Sequence, residues 1–319
     1  MLSRTADHLF WMARYIERAE NLARLLDVTW QNSLVPQAPA AASENWRAVI
    51  ALNSLETAYS AKHGNETTAD KVLHFMVSDP ANPASIFCCL RAARENAHAV
   101  RGTITSEMWE TLNATWIELR GQSHEQRMAN GPGEFFDWVK MRASLNRGTT
   151  SGTMLQDEAY NFIRLGTLLE RADNTARILD VKFHVLLPVN HDSEDAITDF
   201  YQWGALLRSV SGFEVYRKVY RDVITPERVA ELLVLHPDMP RSLHFCLRGV
   251  VKNLDLLANS HSGETQRRAG MLYARLRYGC VEDFLAGGLH EFLSDFMDRI
   301  YEIGAGINRD FLAPVEGLQ

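Results

Sequence analysis

The chain has 319 residues, 46% hydrophobic and 23% charged, which suits a folded protein with a sizeable core and excludes a disordered one. A formal charge of −7 with a pI near 5.9 excludes a general nucleic-acid binder, because the bulk field repels phosphate. Charges interrupt each apolar run before the roughly 18 residues that a membrane span needs, and no basic segment precedes an apolar core at Met1-Leu2-Ser3-Arg4, so no membrane association and a cytoplasmic location are expected.

In chain order, Met12, Tyr15, Ile16, Ala19, Leu22, Ala23 and Leu26 recur at helical spacing and predict a long first helix. Pro36 and Pro39 break the pattern, and Pro80-x-x-Pro83-x-Ser85 places a polar cap ahead of a further helix. Later breaks are predicted at Gly131-Pro132-Gly133, from Gly148 to Gly152, at Pro188, at Pro237 with Pro240, and from Ser260 to Gly263. Strand-like alternation is scarce, so the pattern reads as an all-α bundle of long helices with short connections. Cys88, Cys89, Cys246 and Cys280 form no C-x-x-C pair and read as buried thiols.

An internal repeat organises these helices. Glu17-Arg18-Ala19-Glu20-Asn21-Leu22-Ala23-Arg24-Leu25-Leu26-Asp27-Val28 returns as Glu170-Arg171-Ala172-Asp173-Asn174-Thr175-Ala176-Arg177-Ile178-Leu179-Asp180-Val181, with nine of twelve positions identical. The offset of 153 becomes 157 after one length difference, aligning Trp46 with Trp203, Ser54 with Ser211, Tyr59 with Tyr216, Ser85 with Ser242, Cys89 with Cys246, and Glu134-Phe135 with Glu291-Phe292. The expected architecture is two tandem, pseudo-twofold-related helical bundles from an internal duplication, residues 1–152 and 153–319, packed as one unit.

The opening block, from Met1-Leu2-Ser3-Arg4 through Trp11-Met12-Ala13-Arg14-Tyr15-Ile16-Glu17-Arg18-Ala19-Glu20-Asn21 to Val28, resembles the start of the bacterial alpha-E domain family, named for an α-helical domain with a Glu-Arg motif. Asn82-Pro83-x-Ser85-Ile86, then Arg91-Ala92-Ala93-Arg94-Glu95-Asn96-Ala97, Arg101, Glu107-x-Trp109 and Asn113, is similar to its second characteristic stretch, with His98 in place of an expected arginine. The resemblance implies work beside a circularly permuted ATP-grasp ligase and a transglutaminase-like peptidase, in an amide-forming and peptide-processing system.

Two clusters are candidate sites. Glu17, Asn21, Arg24 and Val28 share one stripe of a helix with Glu20 beside it, and Glu170, Asn174, Arg177 and Val181 repeat the stripe, with Arg18 and Arg171 about 100° away. Read as a solvated face, Glu20–Arg24 and Asp173–Arg177 are ordinary i,i+4 pairs worth about 0.3–0.5 kcal/mol. Read as facing helices, the stripes form either a buried network or a polar cleft for an anionic or peptidic ligand. The second cluster is Arg91, Arg94, Glu95, His98 and Arg101, whose guanidiniums suit carboxylate or phosphate capture. The second copy keeps Arg91 as Arg248 but replaces Arg94-Glu95 with Val251-Lys252, so Arg94, Glu95 and Arg101 occur in one copy only.

No metal or other cofactor is expected. Glu95-x-x-His98 occurs once, whereas a di-metal bundle needs two such pairs, and arginines adjoin Glu17-x-x-Glu20 and Glu170-x-x-Asp173. Nucleotide-binding glycine loops and nucleophile elbows are missing as well. The leading expectation is a substrate-handling or accessory protein. The alternatives are an enzyme of acyl or aminoacyl transfer with Glu17 or Glu170 as general acid or base, and a pure interaction scaffold.

Overall fold

The apolar spacing at the start of the chain draws it into one helix, α1 (Ser3–Ser33), which buries Leu9, Met12, Ile16, Ala19, Leu22 and Leu26. The computed structural model describes residues 1–34, 39–186 and 195–313, so Pro36 and Pro188 lie outside the described residues. Seven helices follow α1 in the first half: α2 (Pro39–Leu52), α3 (Glu56–His63), α4 (Ala69–Leu73), α5 (Ile86–Ala99), α6 (Ser106–Arg120), α7 (His124–Met128) and α8 (Pro132–Thr153). The rest comprises α9 (Glu158–Leu186), α10 (Asp195–Ser209), α11 (Phe213–Tyr220), α12 (Pro226–Val234), α13 (Leu243–Leu256), α14 (Gly263–Tyr278), α15 (Val281–Ala286) and α16 (Leu289–Ile307). Among the described residues no strand occurs, and the chain is all-α.

Side-chain caps start many of these helices. Ser85 accepts the Cys88 amide and donates its own hydroxyl to the Asp79 carbonyl at 2.9 Å, while Ser242 accepts the Phe245 amide and donates to the His236 carbonyl at 2.6 Å. Thr68, Thr105 and Thr225 act likewise, and Ser123 forms a full capping box with Gln126. Each such cap stabilises its helix by about 1 kcal/mol.

Two expectations are corrected. The break from Gly148 to Gly152 does not exist, because α8 runs through it to Thr153. The hydroxyls of Thr149, Thr150 and Thr153 donate back to the carbonyls of Leu145, Asn146 and Thr149, each at 2.8 Å, so these polar residues bond within the helix. Cys280 is exposed rather than buried and donates its thiol to Asp283 at 3.0 Å; Cys88, Cys89 and Cys246 are buried.

The chain divides into two compact units, and α1 contributes to both: Tyr15–Met154 forms one, and Met1–Arg14 joins the chain from Leu155 onward in the other. In the unit from Tyr15 to Met154, α8 lies antiparallel to α1, with the Lys140 ammonium 2.7 Å from Asp27 and Arg147 reaching Glu20. Burial works against the Lys140 charge, but the Asp137 and Asp27 carboxylates outweigh it and raise the pKa. In the other unit α9 packs against α13 and α16. The first turns of α1 run parallel to α9 there, with the Met1 ammonium 2.8 Å from Glu158. A Cβ added at Gly166 would come within 2.3 Å of the Phe10 carbonyl oxygen, so only glycine permits this approach.

Candidate functional site

Charged residues on a helix normally face water, yet the stripe on α1 does not. Glu17 is 1% exposed, Glu20 0% and Asn21 3%. Two guanidiniums hold the Glu20 carboxylate: Arg24, one turn on, donates through Nε at 3.0 Å and Nη2 at 2.7 Å, and Arg147 on α8 donates through both terminal nitrogens. The same Arg147 lies 3.7 Å from Glu17. Carboxylates and guanidiniums therefore offset one another inside one unit, which is what an ionic cluster withdrawn from water requires. Arg18 instead lies over the Tyr15 ring at 5.8 Å.

The solvated-face reading of Glu20–Arg24 is overturned by this burial, since a fully enclosed carboxylate is not a surface ion pair. It describes Asp173–Arg177 better: these meet at 2.8 Å with both side chains partly exposed.

The matching stripe on α9 is held differently. Glu170, 6% exposed, accepts from Arg14 Nε at 2.8 Å, and Arg14 in turn sits over the Trp11 ring at 4.9 Å. Arg171 is 7% exposed and donates to the Pro240 carbonyl at 3.3 Å. The Asn174 amide nitrogen is buried with no hydrogen-bond partner among the described residues. Glu17, Arg18, Asn21 and Arg24 thus belong to one unit, and Glu170, Arg171, Asn174 and Arg177 to the other.

The second cluster faces solvent. On α5 and the turn that follows it, Ile86, Leu90, Ala93, Ala97 and Val100 are buried, and Arg91, Glu95, His98 and Arg101 are exposed. Arg94 donates to Glu95 at 3.0 Å and to Asn113 of α6 at 3.3 Å. Its guanidinium lies 5.1 Å from the Trp109 ring centre, that of Arg101 5.3 Å and the His98 ring 5.6 Å, so the indole is flanked by two cations and an imidazole. Arg101 pairs with no carboxylate among the described residues, which leaves its forked donors available. Glu95 turns to Arg94 and His98 to Trp109. Among the described residues no group of three or more His, Cys, Asp or Glu side chains has the arrangement to hold a metal ion.

Arg14 and Arg147, which complete the two buried networks, are not among the residues the sequence pattern marks. Arg147 stands 127 positions from Glu20, and at the repeat offset of 157 it faces Gly304, so neither local spacing nor internal comparison points to it.

These features define an all-helical protein whose first and ninth helices each carry a Glu-Arg dipeptide with a buried carboxylate. The chain belongs to the Alpha-E family, described as a predicted alpha-helical domain with a conserved ER motif, whose model matches residues 1–312. It is 26% identical over 318 residues to uncharacterized proteins of Mycobacterium tuberculosis and Mycobacterium bovis, a similarity covering 93% of this chain and 35% of each relative. The chain therefore spans about a third of the length of these relatives. No solved structure matches it. Among the described residues no helix is long and apolar enough to cross a membrane.

Proposed function

We propose that the chain is a substrate-handling module of an amide-forming, peptide-processing system, working beside a circularly permuted ATP-grasp ligase and a transglutaminase-like peptidase in the cytoplasm. Its ligand is a carboxylate-bearing peptide or similar anion. The observation that carries this reading is the contrast between the two clusters. The Glu-Arg network around Glu20 is enclosed among opposite charges, whereas Arg94, held by Glu95 and Asn113, and the exposed Arg101 flank Trp109 at the surface. The first fixes helices, and the second meets a ligand. The longer relatives support the reading too, since in them a region like this one is joined to about twice its length of further chain.

We also read the chain as an internal duplication. Ser54 and Ser211 both take a left-handed backbone, with φ of 54° and 53°. The Tyr59 hydroxyl donates to the Glu66 carbonyl at 2.9 Å and that of Tyr216 to the Val223 carbonyl at 2.8 Å, each seven residues on. Gly131 and Gly288, with φ of 94° and 89°, precede α8 and α16.

The test is turnover by the proposed circularly permuted ATP-grasp partner, with and without this chain. Stimulation is expected, lowered about tenfold by R94A/R101A with the melting temperature unchanged. If the chain alone turned over substrate and a folded E17Q or E170Q variant lost that activity, the enzyme reading would replace this one.

A further inference from the structure

A cavity of about 560 Å³ opens in the unit from Tyr15 to Met154, within the range of small-molecule sites. Its lining combines the apolar side chains of Trp30, Leu73 and Met128 with the carboxylates of Asp70 and Glu125 and three imidazoles, His63, His74 and His124. Lys71 also reaches the rim, but its charge is matched by Glu66. Among the described residues no lysine or arginine pairs with Asp70 or Glu125. The Ser123 hydroxyl, donating to Glu125 at 2.7 Å, holds that carboxyl below the usual range and so ionised.

Burial disfavours the charged form of two of these imidazoles, His63 and His124. Arg127 donates to the Ser78 oxygen at 2.8 Å, and Ser78 lies 2.8 Å from His124 Nδ1. Arg127 and His124 thus share the Ser78 hydroxyl, which fixes the imidazole. Burial pushes the His124 pKa down, and His74 and Arg127 add to this against the opposing Glu125 and Asp70. Burial likewise lowers His63, with Lys62, Lys71 and His74 in the same direction and Asp79 against. At the repeat offset His63, His74 and His124 correspond to Tyr220, Glu231 and Val281, so the histidine set occurs in one half only. His74 opens the π-helical turn His74–Ser78, a widening of the helix that recurs at binding sites.

We infer that this cavity is a binding site for an organic cation, an ammonium or guanidinium on an apolar stem, held by Asp70 and Glu125 with its stem along Trp30, Leu73 and Met128. The cation meets two carboxylates and an indole face, and the stem meets the apolar side chains. Protonation of the histidines at lower pH sets like charge against the ligand and expels it.

The site is tested on the full chain by calorimetry and by shifts of the histidine imidazole signals in NMR. The probes are n-butylammonium, the blocked peptide acetyl-Gly-Lys-Gly-amide, and butyrate as the anionic control. Saturable binding of either cation at about pH 8 is expected, weakened about tenfold near pH 5 and about tenfold by D70N/E125Q, two surface changes that leave the fold intact. Tighter binding of the peptide would identify a lysine side chain of a polypeptide as the source, and tighter binding of the free amine a small metabolite. Butyrate binding as well as butylammonium, or neither cation saturating at millimolar concentration, would overturn the inference.

Discussion

Arg14 and Glu170 meet at 2.8 Å although they stand 156 positions apart, and the carboxylate so held is nearly enclosed. Removing the guanidinium takes a countercharge from a buried carboxylate, which costs up to about 3–5 kcal/mol. R14A is therefore expected to lower the urea midpoint strongly, E170Q to cost less, and the double variant to fall short of the sum of the two. Additive single effects in the double-mutant cycle would show that the pair is not coupled.

Arg147 and Arg24 both donate to the Glu20 carboxylate, so each offsets part of its buried charge. R147A and R24A are each expected to destabilise by about 2–3 kcal/mol. Replacing Glu20 by glutamine in either background should recover part of the loss. Equilibrium denaturation of the four variants measures this directly.

Two glycines should respond to the same substitution with opposite sign. G166A forces a methyl group against the Phe10 backbone, so a loss of about 1–3 kcal/mol or more is expected. Gly148 lies within α8 with nothing within 4 Å of its added Cβ, so G148A should raise stability by about 0.5–1 kcal/mol. Thermal melts of the two variants distinguish the cases.

Asp79 predicts the acid limb of the stability curve. Burial would raise its pKa, but the Lys62 ammonium at 2.6 Å and the Ala81 amide at 3.0 Å outweigh this and hold it below the ordinary carboxylate value. Because the folded pKa lies below the unfolded one, the stabilisation is complete above about pH 4 and is lost as pH falls through the folded value. D79N should lower stability at neutral pH by about 1–3 kcal/mol and flatten its decline below about pH 4, read from denaturant midpoints across pH.

The helical class was legible because burial follows the 3.6-residue period directly, as the enclosure of Met12, Ile16, Ala19 and Leu26 illustrates. The continuation of α8 past Gly148 was not, because glycine and threonine weaken a helix on average and the hydroxyl bonds to Leu145 and Asn146 appear only once the helix exists. Sequence could mark Glu17, Glu20 and Arg24 as a group, but their burial depends on α8 lying across them, a non-local event. Three histidines at positions 63, 74 and 124 follow no recognisable spacing, and only the packing of α3, the π-helical turn after α4 and α7 brings them to one cavity.

The sharing of α1 constrains how the protein can be synthesised and divided. A C-terminal fragment beginning at the repeat boundary would lack Leu9, Phe10 and Arg14, exposing Gly166 and leaving Glu170 without its guanidinium. On the ribosome the unit that includes Met1–Arg14 must wait for the segment after Leu155 to emerge, while the one spanning Tyr15–Met154 has all its residues before then. Co-translational folding should therefore begin with Tyr15–Met154, and the Met1–Arg14 turns of α1 should gain their contacts only after α9 has been made.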